Sequence, residues 1–207
     1  MRKLAPLLAA VLLTGAIASS ASGARVLPAS ATPMSTSYTV WVVKWLQAGL
    51  QRNSAAPTAL LVQNGGKCGF RKGKVWFLPD TGRPVRLTSH CVIPRGTPVL
   101  VPVAWLAGPA TTKILVDRKN ARSYITSASL TVDGASLGRG HFISTPVFYV
   151  RFPFRNSSGQ PAGLQTAVAD GYFAILAPLS PGTHVIVTRS TFGDDEAYGY
   201  TYYLIVR

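Results

Sequence analysis

Two cysteines, three histidines and a run of cations interleaved with aromatic residues carry the chemical potential of this 207-residue chain. Ser89-His90-Cys91-Val92 sets a thiol beside an imidazole, the pairing that a cysteine nucleophile and its general base require. A strand over Val85–Cys91, however, puts Val85, Leu87, Ser89 and Cys91 on one face and Arg86, Thr88 and His90 on the other, so the two groups point apart. Cys68 is the better partner for Cys91. An even cysteine count in an exported chain points to a disulfide. Closing a loop of about 24 residues, it stabilises the fold by roughly 3 kcal/mol in the chain-entropy picture.

Other motifs fail on context. Gly134-Ala135-Ser136-Leu137-Gly138 matches the nucleophile elbow G-x-S-x-G, but that elbow joins a strand to a helix, and here Asp133-Gly134 is a hairpin turn running into another strand. Asp194-Asp195-Glu196 offers three adjacent carboxylates, too few and too local for the six to eight oxygens that calcium takes. Glu196 is the only glutamate, and Asp133 and Asp170 each precede glycine in what read as turns, which leaves no carboxylate pair for glycoside hydrolysis. His90, His141 and His184 lack metal-ligand spacing, and His184 reads as a packed or hydrogen-bonded residue. No metal or cofactor is expected.

The richest surface is basic. Lys67, Arg71, Lys72, Lys74, Arg83, Arg86 and Arg95 are opposed within their segment only by Asp80, and Phe70, Trp76 and Phe77 lie among them. Cations beside aromatic faces suit acidic or neutral sugars and single-stranded nucleic acid. The competing reading makes Trp76 and Phe77 core and the charges solvated loop.

These residues must be held by strands. Thr97–Trp105 places Val99, Val101, Val103 and Trp105 on one face, with Pro98 and Pro102 arguing for an edge or a bulge. Tyr124–Val132 alternates and ends at Asp133-Gly134, a hairpin signal. Phe142–Phe154 aligns Phe148, Val150, Phe152 and Phe154 on one face. Ala169–Leu179 reads as a strand entered at Asp170-Gly171, then a Pro181-Gly182 hairpin turn leads to His184 and Val187, and Tyr198–Val206 closes the chain as an interior strand. Residues 111–122 read as either a short helix or a basic loop. Over Ser37–Arg52, Trp41 and Trp45, and Leu46 and Leu50, recur at helical spacing. They predict a helix covering one end or edge of the domain and part of the last strand, against the strand preference of Val40, Val42 and Val43. Eight or nine short strands and no helix–strand alternation give a mainly β fold. We expect an antiparallel β-sandwich, jelly-roll or immunoglobulin-like, with one short N-terminal helix.

Residues 1–24 have the form of a signal peptide: Arg2 and Lys3, an apolar run over Leu4–Ile17, then small residues. The run is too short and broken to span a bilayer. Residues 25–36 read as an unstructured leader and 37–207 as a single domain. The mature chain of about 183 residues carries a charge of about +12, which biases partners toward anionic surfaces without shaping the fold.

Several short motifs in order give the chain a resemblance. Lys74-Val75-Trp76-Phe77-Leu78, Cys91-Val92-Ile93-Pro94-Arg95-Gly96, Val99-Leu100-Val101-Pro102-Val103, Thr131-Val132-Asp133-Gly134, Ser144-Thr145-Pro146-Val147-Phe148 and Asp170-Gly171-Tyr172 through Leu179-Ser180-Pro181-Gly182-Thr183-His184 are together similar to a group of secreted prokaryotic proteins with a tryptophan-rich N-terminal helix and a β-sandwich. The resemblance runs from Trp41 to the end. It implies a fold and export, not an activity. Ala104-Trp105-Leu106 replaces the polar or acidic residues that such proteins often carry there. Separately, Ser89-His90-Cys91 partly resembles the Ser-His-Gly-Cys motif of L,D-transpeptidases, but lacks its glycine.

The functional expectation is a secreted, non-enzymatic module that binds an anionic cell-wall polymer or polysaccharide, or serves a purely structural role. A wall-active cysteine enzyme centred on Cys91 and extracellular nucleic-acid binding are the alternatives.

Overall fold

A computed structural model describes residues 23–50, 69–80, 86–110, 120–154, 160–193 and 196–207, with the backbone alone for residues 86–89 and 196. The chain forms a mainly β sandwich. One sheet holds β1 (Phe70–Lys72), β2 (Val75–Phe77), β4 (Val99–Pro109), β9 (Gly163–Leu176) and β7 (His141–Ser144) in that order, with β8 (Phe148–Phe152) also on β9. The other runs β3 (Arg86–Ile93), β11 (Glu196–Val206), β10 (Gly182–Phe192), β5 (Ile125–Val132), β6 (Ala135–Ser136). Most pairs are antiparallel, but β2 with β4 and β3 with β11 run parallel, a departure from the all-antiparallel expectation. A helix, α1 (Tyr38–Leu50), packs outside the first sheet, making three layers.

Strand β9 is the centre. Tyr172, Ala174 and Leu176 face the core between the sheets, while Ala167, Ala169, Phe173 and Ile175 face α1. Both faces are therefore dry, and the run Ala167–Leu176 loses the alternation of a half-exposed strand. One edge of β9 pairs along its length with β4. The other is tiled by three segments: β8 opposite residues 163–167, β7 opposite 170–173, and the bridge of Val26 to Leu176. Leu27 N donates to Ile175 O at 2.8 Å and Ala177 N to Arg25 O at 3.0 Å. Residues 25–27 are thus an ordered sheet edge, not an unstructured leader. Backbone hydrogen bonds, which small polar composition does not reveal, hold them there.

Asp170-Gly171 is not a turn. It lies in mid-strand, where a β-bulge in β4 between Pro102 and Ala104 presses against it. A Cβ on Gly171 would lie 2.4 Å from Ala104 O and 2.5 Å from Trp105 Cα, so only glycine fits. The bulge also re-aims β4. Val99, Val101 and Val103 fill the inter-sheet core as expected, but Trp105 turns to the helix side and meets Trp45 edge-on, ring centroids 5.1 Å apart. Pro102 marks this bulge inside a central strand, not an edge.

Pro181-Gly182 does not close a hairpin either. β9 and β10 belong to different sheets, and the turn is an arch between them. Asp133-Gly134 is a true two-residue hairpin, with φ of 52° and 80° and Val132 opposite Ala135. The last strand, β11, lies between β3 and β10, but it is covered on one face rather than both: Tyr200, Tyr202, Leu204 and Val206 are buried, while Ile205 on the other face is exposed. α1 covers β8 and β9 rather than β11. Phe148, Val150 and Phe152 are buried beneath the helix, but Phe154 leaves the strand and is 88 % exposed. Of the ambiguous 111–122 segment, 111–119 lies outside the described residues and 120–124 form a helical turn.

The helix forms because burial outweighs the β preference of its valines. Tyr38, Trp41, Val42 and Trp45 fall at i, i+3, i+4 and i+7 and are all buried. Both indole N–H groups are satisfied: Trp41 Nε1 donates to Pro33 O at 2.9 Å and Trp45 Nε1 to Leu78 O at 2.8 Å. The Tyr38 hydroxyl accepts a short hydrogen bond from Ile175 N, tying helix to central strand.

Burial pushes the Tyr38 phenol far above its ordinary value near 10, against a smaller opposing effect of that backbone bond. Burial, then the charge of Asp80 and the neighbouring Tyr200, push Tyr202 up as well. Above about pH 10 the unfolded chain ionises these phenols while the folded chain keeps them protonated. The stability they confer is thus complete below pH 10 and lost as pH rises beyond it. Urea titrations are expected to show stability falling above about pH 10, by up to about 1.4 kcal/mol per pH unit per phenol, with a flatter slope in Tyr38→Phe. An unchanged slope in that variant would contradict the assignment.

Candidate anion-binding surface

The β1–β2 hairpin collects part of the basic segment. Phe70 pairs with Phe77, Arg71 with Trp76 and Lys72 with Val75. Phe77 and Val75 are buried against α1, and Phe70 meets Phe77 edge-on at 5.1 Å. That anchoring turns Arg71, Lys72 and Lys74 out to solvent, all three exposed, with Trp76 half-buried beside Arg71. Arg71 Nε donates to Gly73 O at 2.8 Å, stiffening the tip. Gly73 has φ of 58° and borders Trp41, whose Cη2 would stand 3.7 Å from an added Cβ. Lys44 Nζ sits 4.4 Å over the Trp41 ring. The hairpin tip at Gly73 thus borders Trp41 beneath Lys44, Arg71 and Lys72 are exposed on opposite faces of β1, and neither α1 nor the hairpin carries an acid.

The remaining predicted residues divide. Arg95 is exposed on the β3–β4 connection, which reaches the hairpin where Trp76 N donates to Pro98 O at 2.9 Å. Its amide bonds Arg207 O at 2.9 Å, adding the last residue to this basic end. Arg86 opens β3, at the edge of the other sheet. Lys67, Cys68 and Arg83 lie outside the described residues. Phe77 is core, and Trp76 is partly buried against the core between the sheets, which leaves part of its ring exposed. Lys44 and Arg207 were not singled out from sequence, because the signal joining them to the hairpin is tertiary. The 41–44 spacing of Trp41 and Lys44 is the only local hint.

The chemistry around Cys91 resolves differently. Cys91 is 1 % exposed in the inter-sheet core, opposite Leu204. His90 stands on the outer face and stacks on Tyr203 with centroids 5.0 Å apart. No free cysteine occurs among the described residues. The thiol–imidazole pair of a cysteine enzyme is not assembled.

An apparent Ser-His-Asp array exists elsewhere. His184 Nδ1 lies 2.7 Å from Asp133 Oδ2, and Ser180 Oγ is 3.4 Å from His184 Nε2. Nε2, however, is 2.8 Å from the Ser180 carbonyl oxygen, so that nitrogen donates to backbone and offers no lone pair to the hydroxyl. The other Asp133 oxygen accepts from Val185 N at 2.8 Å. This is a clamp fastening the inter-sheet arch to the β5–β6 hairpin. His141 is likewise structural, its Nε2 2.8 Å from Leu27 O. Among the described residues, no three His, Cys, Asp or Glu side chains could hold a metal ion, and no helix is long and apolar enough to cross a membrane. The G-x-S-x-G segment is the β5–β6 hairpin, with Ser136 on a two-residue strand.

Asp133→Asn keeps a residue that tolerates the positive φ but removes the charge. It is expected to cost about 1.5–3 kcal/mol in urea unfolding, the scale of a hydrogen bond to a charged group. An unchanged midpoint would show that the clamp contributes nothing.

No protein-family model and no curated protein matches this chain. Among solved structures, one titled "Structure of PbICP-C in complex with falcipain-2" aligns at 13 % identity, covering 65 % of this chain and 100 % of that one, with a TM-score of 0.30. Similarity at that level carries no argument about fold or function.

Proposed function

We propose that this protein is an exported, non-enzymatic β-sandwich module of the secreted group it resembles, and that it docks on an anionic cell-envelope polymer or polysaccharide. The observation carrying this reading is the hairpin that anchors Phe77 in the core and leaves Arg71, Lys72 and Lys74 exposed around a tip that borders Trp41, under Lys44. Exposed cations on a stiff support attract a polyanion through many weak, screened contacts. The half-buried Trp76 offers a surface for a sugar ring. The reading includes a signal peptide at residues 1–24 and a disulfide between Cys68 and Cys91, which would tether the entry of the hairpin to β3.

Beads carrying a poly(glycerol phosphate) wall polymer test it. The protein is expected to be retained at about 20 mM salt and released by about 500 mM, and the triple variant Arg71→Glu, Lys72→Glu, Lys74→Glu to bind at least about tenfold more weakly. Retention insensitive to salt or to the variant would overturn the proposal. Tighter binding of single-stranded DNA at matched salt would favour the nucleic-acid reading instead. Thiol titration of the same native preparation without reductant is expected to find no free thiol, and two reactive thiols would remove the disulfide.

A further inference from the structure

Among the described residues, no segment pairs with the outer edge of strand β8. Its inner edge lies on β9, with Tyr149 opposite Thr166 and Arg151 opposite Leu164. Thr166 O accepts from Ala110 N at 3.1 Å, on the β4 side of β9. Thr166 therefore turns its backbone groups toward β4. In an antiparallel ladder the residue facing it, Tyr149, then turns its own N–H and C=O away from β9. Gln47 of α1 reports the same direction, its Nε2 donating to Tyr149 O at 2.8 Å. By alternation Val147 and Arg151 also aim their backbone groups outward, while Phe148, Val150 and Phe152 bond to β9.

The side chains sort in the same way. Phe148, Val150 and Phe152 are buried beneath α1. Val147, Tyr149 and Arg151 stand on the opposite face and are exposed, Tyr149 by 64 %, and Leu164 beside Arg151 is exposed as well. An aromatic edge strand with outward amides is a template for another strand. Gln47 covers one of the outward carbonyls, and a carbonyl oxygen with two lone pairs takes a second donor.

The order of residues says which strand fits. Laid antiparallel against a second copy of itself about Val150, β8 sets its outward amides against outward amides. Tyr149 then faces the partner's Arg151, and Phe148 faces the partner's Phe152. Shifting the register either way shortens the ladder, and centring it on Arg151 opposes two like charges, which is destabilising.

We infer that β8 is a homodimerisation edge, through which two copies of this chain join their first sheets antiparallel across a two-fold axis at Val150. On the exposed face each arginine meets the partner's tyrosine, a cross-strand pair with cation–π attraction. On the helix side the phenylalanines make the two apolar layers continuous. Charge opposes the union, since each copy carries a formal +14 and like-charged copies repel. Salt screens that repulsion, so the dimer strengthens with salt, whereas polyanion binding weakens. The inference does not rest on the polymer reading, and the opposite salt dependences keep the two apart.

Sedimentation equilibrium of the full chain over about 5–500 µM tests it, because a dimer is concentration-dependent. The mass is expected to rise from one chain to two and stop there, as a closed two-fold contact requires. The dissociation constant is expected to be at least about threefold lower at about 500 mM salt than at about 50 mM. Tyr149→Lys sets a lysine against the partner's Arg151 in both symmetry-related pairs and is expected to weaken the dimer about tenfold. Adding Arg151→Glu restores opposite charges across the same pairs and is expected to recover most of that loss. A chain that stays monomeric at both salts, growth beyond two chains, indifference to Tyr149→Lys, or no recovery in a folded double variant would each overturn the inference. The mass measurement needs no variant, so it is decisive even where a substitution prevents folding.

Discussion

Strand β9 is the constraint on which the rest of this protein depends. Fourteen residues long, it is buried on both faces through its C-terminal two-thirds and paired on both edges. A strand with two apolar faces needs two covers. One is the second sheet; the other is α1, whose tryptophans and Tyr38 fill the space above Phe173 and Ile175. A strand whose second edge would otherwise lie open also needs partners, because unpaired N–H and C=O groups invite association. Here three segments drawn from residues 25–27, 141–144 and 148–152 share that duty. The N-terminal segment, the helix and the β7–β8 region are thus all recruited by one strand.

The candidate surface follows from that arrangement. The helix exists to cover β9, and in doing so supplies Phe77 and Val75 with an apolar partner. The hairpin can then expose its charged side without losing its anchor. At the other end of the sheet, the β4 bulge packs on Gly171, and Trp105 beyond it meets Trp45 edge-on and donates its Nε1 hydrogen to Asp80 Oδ2.

How much of this was legible in the residues depended on whether the determining contact was local. The inward face of β3 was readable because Cys91 and Ile93 meet the core while His90 and Val92 do not, and the alternating valines Val99, Val101 and Val103 marked the inter-sheet face of β4 although Leu100 is buried on the other. Asp133-Gly134 was readable because a type of turn that needs two positive φ values leaves a local mark. The same dipeptide logic misled at Asp170-Gly171, where glycine answers a steric demand from another strand. Pro181-Gly182 announced a turn correctly, but turn chemistry does not say which sheet the next strand joins. The helix was visible in its tryptophan spacing, while the face it covers was not. The basic hairpin was legible as a run in sequence. Lys44 and the His184–Asp133 clamp were not, since each joins residues separated by dozens of positions.

The central claim is that α1 is an integral layer of the fold, not an appendage to a sandwich that is stable without it. Native-state hydrogen exchange of the full chain tests this most directly, because it separates local opening from global unfolding residue by residue. If the claim holds, the amides of Val42–Leu46 exchange with the same opening free energy and denaturant dependence as those of Phe173 and Ile175 in β9. Exchange of the helix through a separate, low-energy opening, with β9 still fully protected, would contradict it.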